Sequence, residues 1–198
     1  MGIDVMNTYG RIVALFCAFG SVQVGLAAGA RVLFDGSQPQ TRLSWTNVND
    51  GVMGGVSTGK HGFTPTGELR FFGNLSLANN GGFASVRSRG PRLGLLQDEE
   101  LWLRVRGDGR VYNLDLRVPS NRMAFTYRVT LKTKANQWTE FRVPMSLFRA
   151  TSFGRVVSNA GPVNAANVNS IGFTISDKKQ GPFVLDVDWV QAVKVARK

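Results

Sequence analysis

The sequence predicts an all-β fold, a sandwich of antiparallel strands of jelly-roll type. Three observations carry that prediction. Apolar and polar residues alternate with period two in many short runs. Turns rich in Gly, Asn and Asp separate the runs, and 23 of the 198 residues are Gly. No window sustains an apolar stripe at helical spacing.

In chain order the first strand is Arg31–Phe34. Strands follow at Gly67–Leu77 and Phe83–Ser88. Leu101, Leu103 and Val105 then alternate with Trp102, Arg104 and Arg106. After Asp108-Gly109 the pattern resumes over Val111–Val118, with Leu114, Leu116 and Val118 opposed to Asn113, Asp115 and Arg117. Such an Asp-Gly pair supplies the positive φ of a tight hairpin, so the two strands are expected to pair with each other. Phe125–Lys132, Glu140–Pro144, Ser170–Ile175 and Phe183–Trp189 complete the set. About eight or nine short strands suit a two-sheet sandwich. Other turn signals are Asn49-Asp50-Gly51, Asn80-Gly81-Gly82 and Gly181-Pro182. Only Met145–Phe148, after Pro144, looks helical, and Ser152–Asn169 reads as a long loop.

Residues 12–30 are uncharged and end in Ala28-Gly29-Ala30. This reads as a secretory signal peptide over residues 1–30, cut after Ala28 or Ala30, followed by one domain over 31–198. Export to the periplasm or outside the cell is the expectation, with an uncleaved N-terminal anchor as the alternative.

The composition removes most catalysis. One His and one Cys cannot build a usual Cys/His zinc site. Cys17 falls within the expected leader, which leaves no thiol nucleophile, and no spacing sets a nucleophile beside His61 or singles out a carboxylate pair. A non-catalytic binding protein without cofactor is therefore expected. The net charge of +11 points to an anionic partner: an acidic protein surface, an acidic glycan or a membrane headgroup layer. An exported location argues against nucleic acid.

Four blocks are distinctive. They are Trp45-Thr46-Asn47-Val48-Asn49-Asp50-Gly51-Val52-Met53-Gly54-Gly55-Val56-Ser57, Asn79-Asn80-Gly81-Gly82-Phe83-Ala84-Ser85-Val86-Arg87, Arg104–Tyr112 and Gly181–Trp189. In this order they resemble the complex I intermediate-associated protein 30 family, over roughly Phe34 to Val193. The resemblance implies a galactose-binding-like β-sandwich related to carbohydrate-binding modules. It also implies a chaperone-like role in assembling NADH:ubiquinone oxidoreductase, with a protein client. A carbohydrate-binding module is the alternative, with Trp45, Trp138 and Tyr112 as candidate sugar platforms.

Two sets of partner-binding residues follow. Asn49, Asp50, Met53, Ser57, Asn79 and Asn80 lie in loops of amides and glycines. Trp102, Arg104, Arg106, Arg117, Arg128 and Lys132 occupy outward positions on strands expected to adjoin, which would make one basic face. Asp35, Asp186 and Asp188 are read as ion-paired with arginines, and a structural calcium is their alternative role.

Overall fold

The computed structural model describes residues 29–38, 43–119 and 125–195. The expected leader falls outside these except for Gly29 and Ala30, and Ala30 opens the first strand. The described residues form thirteen strands in all. They are β1 (Ala30–Asp35), β2 (Ser44–Asn49), β3 (Thr58–Phe63), β4 (Leu69–Leu75), β5 (Ala84–Arg89), β6 (Glu99–Gly107) and β7 (Val111–Arg117). The rest are β8 (Thr126–Lys132), β9 (Trp138–Pro144), β10 (Arg149–Ser152), β11 (Arg155–Val156), β12 (Ser170–Ile175) and β13 (Gly181–Lys194).

They form two antiparallel sheets, as the alternation predicts. The first runs β3-β4-β13-β6-β9, and the second runs β11-β10-β8-β7-β12-β5-β2. Strand β13 is 14 residues long, so β4 pairs with its first half and β1 with its second. The inward positions make one core between the sheets. Leu101, Leu103, Val105, Leu114 and Leu116 are all buried, on the faces the alternation assigns them. Phe34 meets Trp45 edge-on at 5.8 Å, and Phe71 packs on Phe183 at 4.9 Å.

The Asp108-Gly109 turn does not close a hairpin. Strand β6 pairs with β9 and β13, while β7 pairs with β8 and β12. The turn therefore carries the chain from one sheet to the other. Gly109 supplies a φ of 88°, as a tight turn requires. The crossing is held by Asp108, whose carboxylate accepts from the Arg110 and Val184 N–H groups and the Tyr112 hydroxyl at 2.9–3.1 Å. Periodicity reports which residues share a face, but not which strand lies alongside.

This corrects the single basic face. Trp102, Arg104 and Arg106 project from the first sheet, whereas Arg117, Arg128 and Lys132 stand on the second. The loop expected over Ser152–Asn169 holds β11 and a 3-10 turn at Ala165–Asn167. The helix-like stretch after Pro144 is a 3-10 turn at Met145–Leu147.

Candidate functional site

The most distinctive sequence block folds around one buried carboxylate. Strand β2 ends at Asn49 and the chain enters a 3-10 turn, Asp50–Met53. Asp50 is fully buried. Its Oδ1 accepts the Ser57 N–H at 2.9 Å, and its Oδ2 accepts the Ser57 hydroxyl at 2.5 Å and the Gly82 N–H at 2.6 Å. The Phe83 N–H lies further off at 3.3 Å. Burial pushes the Asp50 carboxyl up, but the donors from Ser57, Gly82 and Phe83 outweigh it and hold the group below its ordinary range. Asp50 thus fastens the loop after β2 to the loop before β5. Ser57 adds a second tie, because its Oγ accepts the Ser76 N–H at 3.0 Å.

Two of the glycines, Gly55 and Gly81, follow from that carboxylate. A Cβ on Gly55 would lie 2.4 Å from Asp50 Cγ, and one on Gly81 would lie 2.6 Å from Asp50 Oδ2. Gly54 has a φ of 89°, in the region that favours glycine. Asn79 and Asn80 adopt φ values of 54° and 58°, which asparagine tolerates better than most residues.

The two joined loops present apolar side chains to solvent. Val52 is 71% exposed, Met53 51%, Val56 53% and Leu77 41%. Of the loop residues singled out from sequence, Met53, Asn79 and Asn80 are exposed, Asn49 is half-buried, and Asp50 and Ser57 are buried. Asn49 donates from Nδ2 to the Gly59 carbonyl at 3.1 Å. The exposed amides and the apolar tip are therefore the accessible part, while Asp50 and Ser57 hold the shape. Val52, Val56 and Leu77 were missed. The signal for Val52 and Val56 was apolar residues standing inside a Gly-rich turn, whereas Leu77 was read as the end of a strand that in fact stops at Leu75.

Three arginines of the first sheet, Arg70, Arg104 and Arg106, are ion-paired. Asp186 receives Arg70 at 2.7 Å and Arg106 at 2.8 Å, and Asp188 receives Arg104 at 2.6 Å. Burial pushes the Asp186 carboxyl up, and Arg70 and Arg106 more than reverse that. Burial raises Asp188 beyond what Arg104 offsets, with Asp35 and Glu68 adding repulsion. Asp35 accepts from Ser37 and Gln38. The carboxylates considered for calcium are thus engaged by protein donors. Among the described residues no group of three His, Cys, Asp or Glu side chains is placed to hold a metal ion.

The aromatic candidates are covered. Trp45 and Tyr112 lie in the core. Trp138 has the guanidiniums of Arg104 and Arg106 over its ring, each 4.7 Å from the centroid, and Arg142 lies 4.0 Å from the Trp102 centroid. His61 sits on β3, half-buried, with Nδ1 at 2.5 Å from Asn47 Oδ1. Burial pushes its imidazole below the ordinary range.

The second sheet differs. Register sets Thr46, Arg87, Gly172, Asp115, Arg128 and Arg149 side by side across six strands of its outer face. Asp115 is fully buried there and takes a forked pair of bonds from Arg128 at 2.7 and 2.9 Å.

A family model described as complex I intermediate-associated protein 30 matches residues 34–187. The mouse protein named complex I intermediate-associated protein 30, mitochondrial, is 38% identical over 98 residues, which are 48% of this chain and 30% of that protein. The Drosophila melanogaster protein of the same name is 28% identical over 181 residues, covering 80% of this chain and 61% of that one. The chain thus spans under two thirds of either relative. These relatives are named mitochondrial, which overturns the expectation of export to the periplasm or outside the cell. Among solved structures, the family 11 carbohydrate-binding module from Clostridium thermocellum superposes with a TM-score of 0.64 at 17% identity, over 87% of this chain and 99% of the module. An agarase reaches 0.57 at 12% identity, over 86% of this chain and 25% of the enzyme. Likeness at that identity establishes the galactose-binding-like sandwich expected from the sequence, and the fold alone.

Proposed function

The chain belongs to the complex I intermediate-associated protein 30 family, and from that premise we propose that it is a non-catalytic assembly factor. It docks a protein client of a respiratory membrane complex through the loops fastened by Asp50. One observation carries this reading: Val52, Met53, Val56 and Leu77 are exposed on two loops that are held rigid from beneath. Apolar side chains held out in this way are preorganised for a partner, because little conformational entropy is lost on docking. The names of the relatives supply the class of client. No cofactor enters the mechanism, which is reversible burial of the apolar tip.

We also retain residues 31–198 as one folding unit, with the two sheets sharing a single core. The carbohydrate-binding alternative gains no support from the side chains, because arginines cover the rings of Trp102 and Trp138.

The test is a double substitution, Val52→Asp with Met53→Asp, in the chain's own host. Both side chains are solvent-facing, so the unfolding temperature should stay within ~2 °C of wild type. Complex I activity and co-purification of its subunits should fall as in a deletion strain. Full retention of both, with the protein present at normal level, would overturn the proposal.

A further inference from the structure

The outer face of the second sheet carries positive charge that its own acids do not balance. Asp115 is the one carboxylate of the cross-strand row, and Arg128 and the Thr174 hydroxyl already occupy it, the latter at 2.7 Å. Arg117 follows two residues later on the same face of β7. Its Nη2 reaches Asp115 only at 3.6 Å, and its Nη1 is buried with no hydrogen-bond partner among the described residues. Arg87 donates from Nε to Ser85 Oγ at 3.0 Å and makes no ion pair among the described residues.

The physics of this cluster is unusual for a surface. Burial, joined by repulsion from Arg117 and Arg128 and only partly opposed by Asp115, pushes the Arg87 guanidinium down to about 10. Burial lowers Arg117 as well. A desolvated cation without a counter-ion is costly, and a buried donor without an acceptor adds to that. On the first sheet Arg70, Arg104 and Arg106 each meet a carboxylate at 2.6–2.8 Å, and Arg142 lies over the Trp102 ring. Between Arg87 and Asp115 the row holds Gly172, so no side chain rises from that position. A Cβ there would lie 2.6 Å from the Val86 carbonyl oxygen, which requires glycine.

We propose that Arg87 and Arg117 form a binding site for an oxyanion, a carboxylate or phosphate group of a ligand, seated over Gly172 on the outer face of the second sheet. Two guanidiniums match the paired oxygens of such a group and supply the missing negative charge. Arg128 and Asp115 act as the fixed floor, because their forked pair is complete without ligand. The site is independent of the docking loops, so it stands or falls separately from the assembly proposal.

The test is a titration of the full chain, labelled with nitrogen-15, followed at the Arg Nε resonances. Sodium phosphate is added in one arm and sodium succinate in the other, with ionic strength held constant by sodium chloride. Saturable shifts at Arg87 and Arg117 in either arm support the site, and the arm that saturates at lower concentration identifies the group preferred. Arg87→Gln and Arg117→Gln should each weaken that binding tenfold or more, whereas Arg149→Gln should leave it within about twofold. Arg87→Lys keeps the charge without the fork and should fall between. Shifts that stay linear in both arms, or that persist unchanged in Arg87→Gln, would overturn the proposal. Should Arg87→Gln unfold, Arg87→Lys and Arg117→Gln carry the same comparison.

Discussion

Replacing Asp50 with Ala should be among the most damaging single changes outside the apolar core. The side chain accepts from two well-placed backbone N–H groups, those of Ser57 at 2.9 Å and Gly82 at 2.6 Å. Hydrogen bonds to a charged acceptor contribute about 1.5–3 kcal/mol each, and the orphaned donors would remain partly buried. The Ser57 hydroxyl is not orphaned, because the Ser76 carbonyl lies 3.1 Å away. Relief of the carboxylate's own burial offsets part of the loss. The net cost is then about 3–4 kcal/mol, or roughly a 10 °C fall in unfolding temperature for a domain of this size. Calorimetry reads the temperature, and amide hydrogen exchange reads the local effect. The Gly82 and Ser57 amides should lose protection before the strands do. A fall under ~3 °C, with those amides still protected, would refute the reasoning.

Gly55→Ala should cost about 1–3 kcal/mol by overpacking, since the new Cβ would lie 2.4 Å from Asp50 Cγ, whereas Gly51→Ala, with open space around it, should be near neutral in the same denaturant titration. Asp108→Ala should loosen the crossing between the sheets and cost about 2–4 kcal/mol, because the Arg110 and Val184 N–H groups and the Tyr112 hydroxyl lose their acceptor. The depressed carboxyls of Asp50, Asp177 and Asp186 contribute stability that is whole above their ordinary value of 3.8. That stability drains away as pH falls through their lower folded-state values. Asp188, raised by burial, works in the opposite sense, so unfolding followed by circular dichroism should begin only below about pH 4.

Much of the fold was legible in the sequence. The alternation of Leu101, Leu103 and Val105, and of Leu114 and Leu116, assigned the inward faces correctly. Strand β12 falls on the expected Ser170–Ile175. Strands β2 and β3 were not read, because Trp45-Thr46-Asn47-Val48 and Lys60-His61-Gly62 carry too few apolar residues to alternate. Pairing was not legible either. Asp108-Gly109 has the chemistry of a hairpin, and only the three donors that converge on Asp108 from Arg110, Tyr112 and Val184 make it a crossing. That error placed Arg106 and Arg117 on one face.

The candidate site was half legible. Its glycines and Asp50 stood out as a block, but whether the carboxylate faced solvent or the interior depended on Gly82, 32 residues away. The oxyanion cluster was hidden for the same reason. Arg87 meets Asp115 only through β12, which arrives more than 50 residues later and brings Gly172 between them.

The central claim is that the tip carrying Met53 touches a respiratory-complex client. A photo-crosslinking residue at position 53, introduced in the chain's own host, tests this most directly. Position 153 serves as the control, because Phe153 is 86% exposed and equally apolar in character. The account predicts crosslinks from position 53 to complex I subunits or their assembly intermediates, and none of these from position 153. Crosslinks to those subunits from 153 alone, or from neither position, would contradict it.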